Sequence, residues 1–191
     1  MHVFGRSAGG CFMESHSAQK SSDNKTRQLV ITALMISLVV LGTLLFRVPI
    51  PMTQGYIHLG DTMICLGVML LGKRNAAAAA GIGSAAADIL GGFAYWAPWS
   101  LVIKFAMAFT AGLIIEKRSI RRGSSEGRSL LYATAMTAGG LVMCAGYLIA
   151  ERLMYGSWAA AFIALPWNFG QFTAGIVFSL LIFHAIPKTV K

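Results

Sequence analysis

Six stretches of this chain carry little or no charge and run close to the length of a membrane crossing: Leu29 to Phe46, Ile57 to Leu71, Ala76 to Phe93, Ser100 to Ile115, Leu130 to Ala150 and Phe162 to Ile186. A helix needs about 20 apolar residues to span the hydrocarbon core, and only the second run is clearly short. Inside lipid every backbone N–H and C=O must be paired within the protein, which leaves helices and closed barrels. Barrel strands alternate apolar and polar residues over about ten positions, and these runs do not. Charged residues make up 12% of the chain, against roughly a quarter in soluble domains. The expected fold is an all-α integral membrane protein, a six-transmembrane-helix bundle.

Residues 1–28 are polar or mixed and have no small-residue cleavage site behind the first apolar run, so that run reads as a membrane helix and not a signal peptide. The expected organisation is a disordered cytoplasmic tail over 1–28, a membrane domain over 29–187 and a short C-terminal tail over 188–191. Most of the 16 lysines and arginines fall on one side of this bundle. They are Arg6, Lys20, Lys25 and Arg27 in the tail, Lys73 and Arg74 after the second run, Lys117, Arg118, Arg121, Arg122 and Arg128 after the fourth, and Lys188 and Lys191. The positive-inside rule places that side, and both termini, in the cytoplasm. The net charge of +9 then reflects topology and contact with anionic membrane lipid, and no nucleic-acid-binding module is built from it.

With this orientation the remaining polar residues gather at the outer level: Arg47, Asp61, Asp88, Lys104, Glu151, Arg152, Asn168 and Gln171. Charges in apolar helices are costly, about 2.5 kcal/mol or more each, and mark a functional site by default. Asp88 and Lys104 flank the turn Gly91-Gly92-Phe93-Ala94-Tyr95-Trp96-Ala97-Pro98-Trp99. Two readings stand for them, a structural ion pair locking the third helix to the fourth, or polar anchors for a ligand. The turn needs Gly and Pro, but not its aromatic residues, which suit a small, partly aromatic ligand. Trp96, Trp99, Trp158 and Trp167 all lie on the outer side, as a membrane-interface belt or as pocket walls. The expected ligand contacts are Asp61, Asp88, Tyr95, Trp96, Trp99, Lys104, Tyr147, Glu151, Asn168 and Gln171. Three acidic and three basic residues near the site favour a neutral or zwitterionic ligand.

Several motifs are excluded. Gly81-Ile82-Gly83 follows no strand, and Gly67 to Lys73 lacks P-loop spacing. Cys11, Cys65 and Cys144 show neither redox nor zinc spacing, so no metal site is expected. The run Ala76 to Ala87 offers a face of small side chains for close helix packing, and Ala33 and Ser37 a smaller one on the first helix.

The segments Ile57-His58-Leu59-Gly60-Asp61-Thr62-Met63, Leu71-Gly72-Lys73-Arg74-Asn75, Gly81-Ile82-Gly83-Ser84 with Asp88, and Ala94-Tyr95-Trp96-Ala97-Pro98-Trp99 with Lys104 resemble the S components of energy-coupling factor (ECF) vitamin transporters. The branch containing riboflavin and hydroxymethylpyrimidine carriers is the most similar. Tyr155-Gly156-Ser157-Trp158 and Leu165-Pro166-Trp167-Asn168-Phe169-Gly170-Gln171 extend the resemblance to the last connection. It implies a multi-pass protein of a bacterial cell membrane that captures a vitamin or precursor from outside. Its partners are then a transmembrane coupling protein and two cytoplasmic ATPases, which use ATP, with no cofactor in this chain. The family's alanine-rich docking motif maps onto Ala33 and Ser37, with Ser as a departure. Thiamine-precursor pyrimidines, vitamin B6 forms, riboflavin and pantothenate are all compatible ligands. Two alternatives are a self-sufficient secondary transporter, which usually shows internal repeats absent here, and a membrane-embedded enzyme using Asp61, Asp88, Glu151 and His58.

Overall fold

A computed structural model describes the backbone of residues 8–49, 56–121 and 128–185, and the side chains of 24–49, 56–118 and 128–185. In chain order the elements are α1 (Ala8–Leu45), β1 (Arg47–Pro49), β2 (Tyr56–His58), α2 (Gly60–Leu90), α3 (Ala97–Arg121), α4 (Arg128–Tyr155) and α5 (Trp158–Ala185). Among the described residues all five helices are long and apolar enough to cross a membrane, α1 through its Asn24–Leu45 portion. α1 begins at Ala8, so much of the segment expected to be an unstructured tail is helical. Ala18, Gln19 and Lys20 are good helix formers and give it no break there. Residues 1–7 and the expected C-terminal tail lie outside the described residues.

The second apolar run was expected to be helical from Ile57. Instead Tyr56–His58 pairs antiparallel with Arg47–Pro49, and the helix starts at Gly60. The register sets Val48 opposite Ile57, a β-branched cross-strand pair of the kind that favours a ribbon.

α2 is not one straight rod. Gly72 has φ 75° and ψ 167°, a conformation essentially closed to residues with a Cβ. The neighbours of its two arms show what this break does. A Cβ on Gly67 would lie 3.2 Å from Met35, and one on Gly83 would lie 2.9 Å from Val39. Positions 67 and 83 would be ~24 Å apart on a continuous helix, yet Met35 and Val39 are only one turn apart on α1. The chain therefore doubles back at Gly72, and both arms of α2 pack on the same stretch of α1. Glu116 of α3 secures the reversal. Its Oε1 accepts the Lys73 backbone N–H at 3.1 Å, and its Oε2 lies 2.7 Å from Lys73 Nζ. A carboxylate is suited to the open N–H groups at a helix start.

The small-residue run packs as expected. Ala76, Ala77, Ala79, Ala80 and Ala87 are almost fully buried, and Ala76, Ala77 and Ala80 form one core cluster with Val39, Ile64, Val68, Ala108 and Ala111. A second cluster fills the space between α2, α3, α4 and α5, with Cys65, Trp96, Ile103, Met107, Met136, Met143, Cys144 and Phe172. α4 approaches α3 so closely that a Cβ on Gly139 would sit 2.6 Å from the Met107 carbonyl oxygen. Because both ends of α2 emerge at the same end of the bundle, Asp61 and Asp88 do as well.

Gly72→Ala should lower the thermal unfolding midpoint of the detergent-solubilised protein by an amount corresponding to ~1–3 kcal/mol, the usual cost of such a backbone conformation. Gly170→Ala is the control, since a Cβ there meets no atom within 4 Å. Equal midpoints for the two variants would show that the reversal does not depend on glycine.

Candidate functional site

Lys104 is fully buried, and its Nζ lies 2.5 Å from Oδ1 of Asp61, also fully buried. One of the two sequence readings paired Lys104 with Asp88; the structure pairs it with Asp61 instead. Asp88 lines a cavity with Ser100, one turn nearer the α2–α3 connection than Lys104, whereas Asp61 reaches Lys104 from the other arm of α2. Met143 Sδ lies 2.9 Å from Lys104 Nζ, and the Tyr147 ring centroid 5.5 Å away. Asp61 Oδ2 accepts from Gln171 Nε2 at 2.8 Å, and Gln171 Oε1 accepts from the His58 backbone N–H at 3.0 Å. One pair of charges thus joins α2, α3, α5 and the β1–β2 hairpin.

Above this network lies a small cavity, about 30 Å³ of room for the centre of a water-sized sphere, open at its mouth. It is lined by Tyr56 and His58 of the hairpin, Ser84 and Asp88 of α2, Trp96 and Ser100 at the start of α3, Tyr147 and Glu151 of α4, Asn168 and Gln171 of α5, and Thr43 of α1. Of the expected ligand contacts, Asp88, Trp96, Tyr147, Glu151, Asn168 and Gln171 line it. Asp61 and Lys104 lie beneath it. Tyr95 is 42% exposed, and Trp99 is half-buried against the core, so neither forms its wall. Trp158, 52% exposed with the Arg152 guanidinium 5.5 Å from its ring, suits the interface belt.

Tyr56, Thr43, Ser84 and Ser100 were not among the expected contacts, and His58 was expected only in the enzyme alternative. Two of them had a signal, because Ser84 precedes Asp88 and Ser100 precedes Lys104 by four residues, one helical face. Tyr56 and His58 had a weaker one, the period-two spacing of a strand. The Tyr56 hydroxyl donates to Asp88 Oδ1, and burial together with Asp88 pushes its pKa up, so it stays a donor. Arg47 ties the same hairpin to the α2–α3 turn. It donates to the Gly91 carbonyl oxygen at 3.1 Å and lies 5.3 Å from the Tyr56 ring centroid and 5.8 Å from that of Phe93.

Among the described residues, four buried polar atoms in this lining have no hydrogen-bond partner: Ser84 Oγ, Asp88 Oδ2, Trp96 Nε1 and Glu151 Oε2. Leaving such atoms unpaired costs about 1–3 kcal/mol each, so their convergence on one cavity makes it the candidate site. The charge balance also changes. With Asp61 and Lys104 satisfying each other and both arginines engaged elsewhere, the cavity presents two carboxylates and, among the described lining residues, no lysine or arginine. Ser100 Oγ and the Tyr147 hydroxyl, 3.1 Å apart, add adaptable donors or acceptors.

Residues 23–188 match the profile of the family described as ECF-type riboflavin transporter, S component. The thiamine precursor transporter HmpT of Lactococcus lactis subsp. cremoris is 31% identical over 172 residues, covering 89% of this chain and 94% of that protein. An uncharacterized protein in the gap 3′ region of Pyrococcus woesei is 39% identical over 118 residues, 62% of this chain and 74% of its own length.

Two outcomes are expected. Asp61→Asn or Lys104→Met alone strands a buried partner and should destabilise by ~3–5 kcal/mol, while the double variant should recover most of that loss in detergent unfolding. Additive losses would show that the two groups are not a self-contained pair. His58 gives a pH signature. Burial pushes it down from 6.5 to about 4, with Lys104 and Arg47 acting in the same direction and Asp61 against them. Its Nδ1 accepts the Gly60 backbone N–H at 3.0 Å, which a protonated ring cannot do. The unfolded chain takes up this proton first, so stability is full above pH 6.5 and falls as pH drops toward 4. His58→Asn should flatten unfolding midpoints across that window; an unchanged slope assigns the acid sensitivity to other groups.

Proposed function

Because this chain belongs to the family of ECF-type riboflavin transporter S components, we propose that it is the substrate-binding subunit of an ECF-type ABC importer and that its ligand is a thiamine precursor of the hydroxymethylpyrimidine type. It is a multi-pass cell-membrane protein and a transport component, not an enzyme. In this reading the two arms of α2 each cross the bilayer, which makes six crossings with both termini cytoplasmic, and the cavity faces outward.

The observation that carries the ligand class is the set of unpaired cavity atoms. Asp88 Oδ2 and Glu151 Oε2 accept, Trp96 Nε1 donates, and Ser84 Oγ does either. An aminopyrimidine with a hydroxymethyl arm offers the matching pattern: an exocyclic amine to donate, ring nitrogens to accept, and a hydroxyl for the serine. Its flat ring suits Trp96, which stands edge-on to Tyr147 with centroids 6.0 Å apart. Two acidic residues in a described lining that holds no lysine or arginine disfavour pantothenate and phosphorylated B6 forms, and move the expectation of a neutral or zwitterionic ligand toward a neutral or cationic one. The similarity to a thiamine precursor transporter supports the same choice.

Delivery across the membrane falls to partners. Ala33 and Ser37 lie exposed on α1 among Val30, Leu34, Leu38 and Leu41, also exposed, and this face is the contact for the transmembrane coupling protein, whose two cytoplasmic ATPases supply the energy. The coupling protein's unequal affinity for two states of this subunit drives release inside.

Mass spectrometry of the small molecule that co-purifies with the protein tests the ligand directly, and tryptophan fluorescence gives its affinity. Glu151→Gln should weaken hydroxymethylpyrimidine binding about 10- to 100-fold, the loss of one charge-assisted hydrogen bond. Accumulation of the ligand by vesicles holding this chain alone would instead favour a self-sufficient transporter.

A further inference from the structure

The network beneath the cavity has a direction built into it. A carboxylate only accepts, so Asp61 Oδ2 can receive nothing from Gln171 but its amide N–H. That fixes the amide, and Oε1 must face the other way, where the backbone N–H of His58 donates to it. Lys104 closes the other end by engaging Oδ1, which leaves Asp61 no freedom to turn away. His58 belongs to β2, and two residues before it Tyr56 donates to Asp88 in the cavity wall. The order of bonds therefore runs from Lys104 to Asp61 to Gln171 to the hairpin backbone, and the hairpin carries Tyr56 to Asp88.

We propose that Asp61 and Gln171 form a positioning relay that holds the β1–β2 hairpin against the cavity, with Lys104 neutralising Asp61 and Asp61 acting on ligand affinity without touching the ligand. Lys104 and Asp61 are both fully buried and neither lines the cavity. Gln171 and His58 do line it, so the relay ends where a ligand would begin. The neutral carbonyl that Asp61→Asn retains can still accept from Gln171, whereas Asp61→Leu cannot, so the relay depends on an acceptor at position 61 and not on its charge.

The hairpin can be watched without any ligand. A nitroxide on Val48→Cys, 54% exposed on β1, with Cys11→Ser to remove the thiol outside the described side chains, reports hairpin motion while Cys65 and Cys144 stay buried. Asp61→Leu/Lys104→Met should narrow the nitroxide spectrum, and Asp61→Asn/Lys104→Met should leave it close to that of the parent. Hydroxymethylpyrimidine should dissociate about five- to ten-fold faster from the first variant than from the second, the worth of one hydrogen bond. Should the leucine variant not fold, Gln171→Met cuts the chain one link later and should narrow the same spectrum. Identical spectra for all variants would overturn the relay, as would equal loss of binding in both double variants with the hairpin still immobile, which would make the Asp61 charge itself a ligand contact. The ligand measurement rests on the function proposed above; if hydroxymethylpyrimidine does not bind the parent protein, that reading fails while the spectra still decide the relay.

Discussion

An ammonium and a carboxylate, 2.5 Å apart and sealed from solvent, set the geometry of this protein's polar end. Neither charge could remain in so apolar a bundle alone, because the desolvation of each is worth several kcal/mol. Together, and with Gln171 on the second carboxylate oxygen, they satisfy one another and hold α2, α3 and α5 at a common level. The cavity is built on that floor. The wall atoms Ser84 Oγ, Asp88 Oδ2, Trp96 Nε1 and Glu151 Oε2 lack partners among the described residues while the pair beneath them is satisfied, and the contrast separates the part of the polar cluster that supports the fold from the candidate site.

The helical class, the membrane setting and the close-packed alanine face were legible because each rests on composition or period over many residues. The reversal within α2 was legible in part. Apolar runs ending at Leu71 and resuming at Ala76 mark two helical segments, but nothing in Leu71-Gly72-Lys73 announces that a single residue turns the chain back on itself. The hairpin was hidden for a different reason. Strands of three residues are too short for a periodic signal, and Ile57 reads equally well as the start of the apolar helix that follows.

For the site, depth along each helix was a sound guide and partner choice was not. Placing Asp61, Asp88, Lys104, Glu151, Asn168 and Gln171 at one level needs only helix lengths and orientation. Deciding which carboxylate meets Lys104 needs the rotation of three helices about their axes, and a one-turn offset changed the answer from Asp88 to Asp61. Ser84 and Ser100, four residues before charged neighbours, show that facing polar positions should be read as pairs along a helix, even when one of them is a small hydroxyl.

The turn at Gly72 also has a consequence for which changes in length this chain can absorb. An ordinary loop takes up an extra residue as slack. Here both arms are helical up to the turn, so one added residue in either arm advances everything beyond it by about 100° around the helix axis. Placed just after Gly72, it would carry Ser84 and Asp88 off the cavity wall while Asp61 kept its place, dividing the two halves of the site at a point far from both. The turn at Gly72 thus works as a fixed phase setting between the floor of the cavity and its wall.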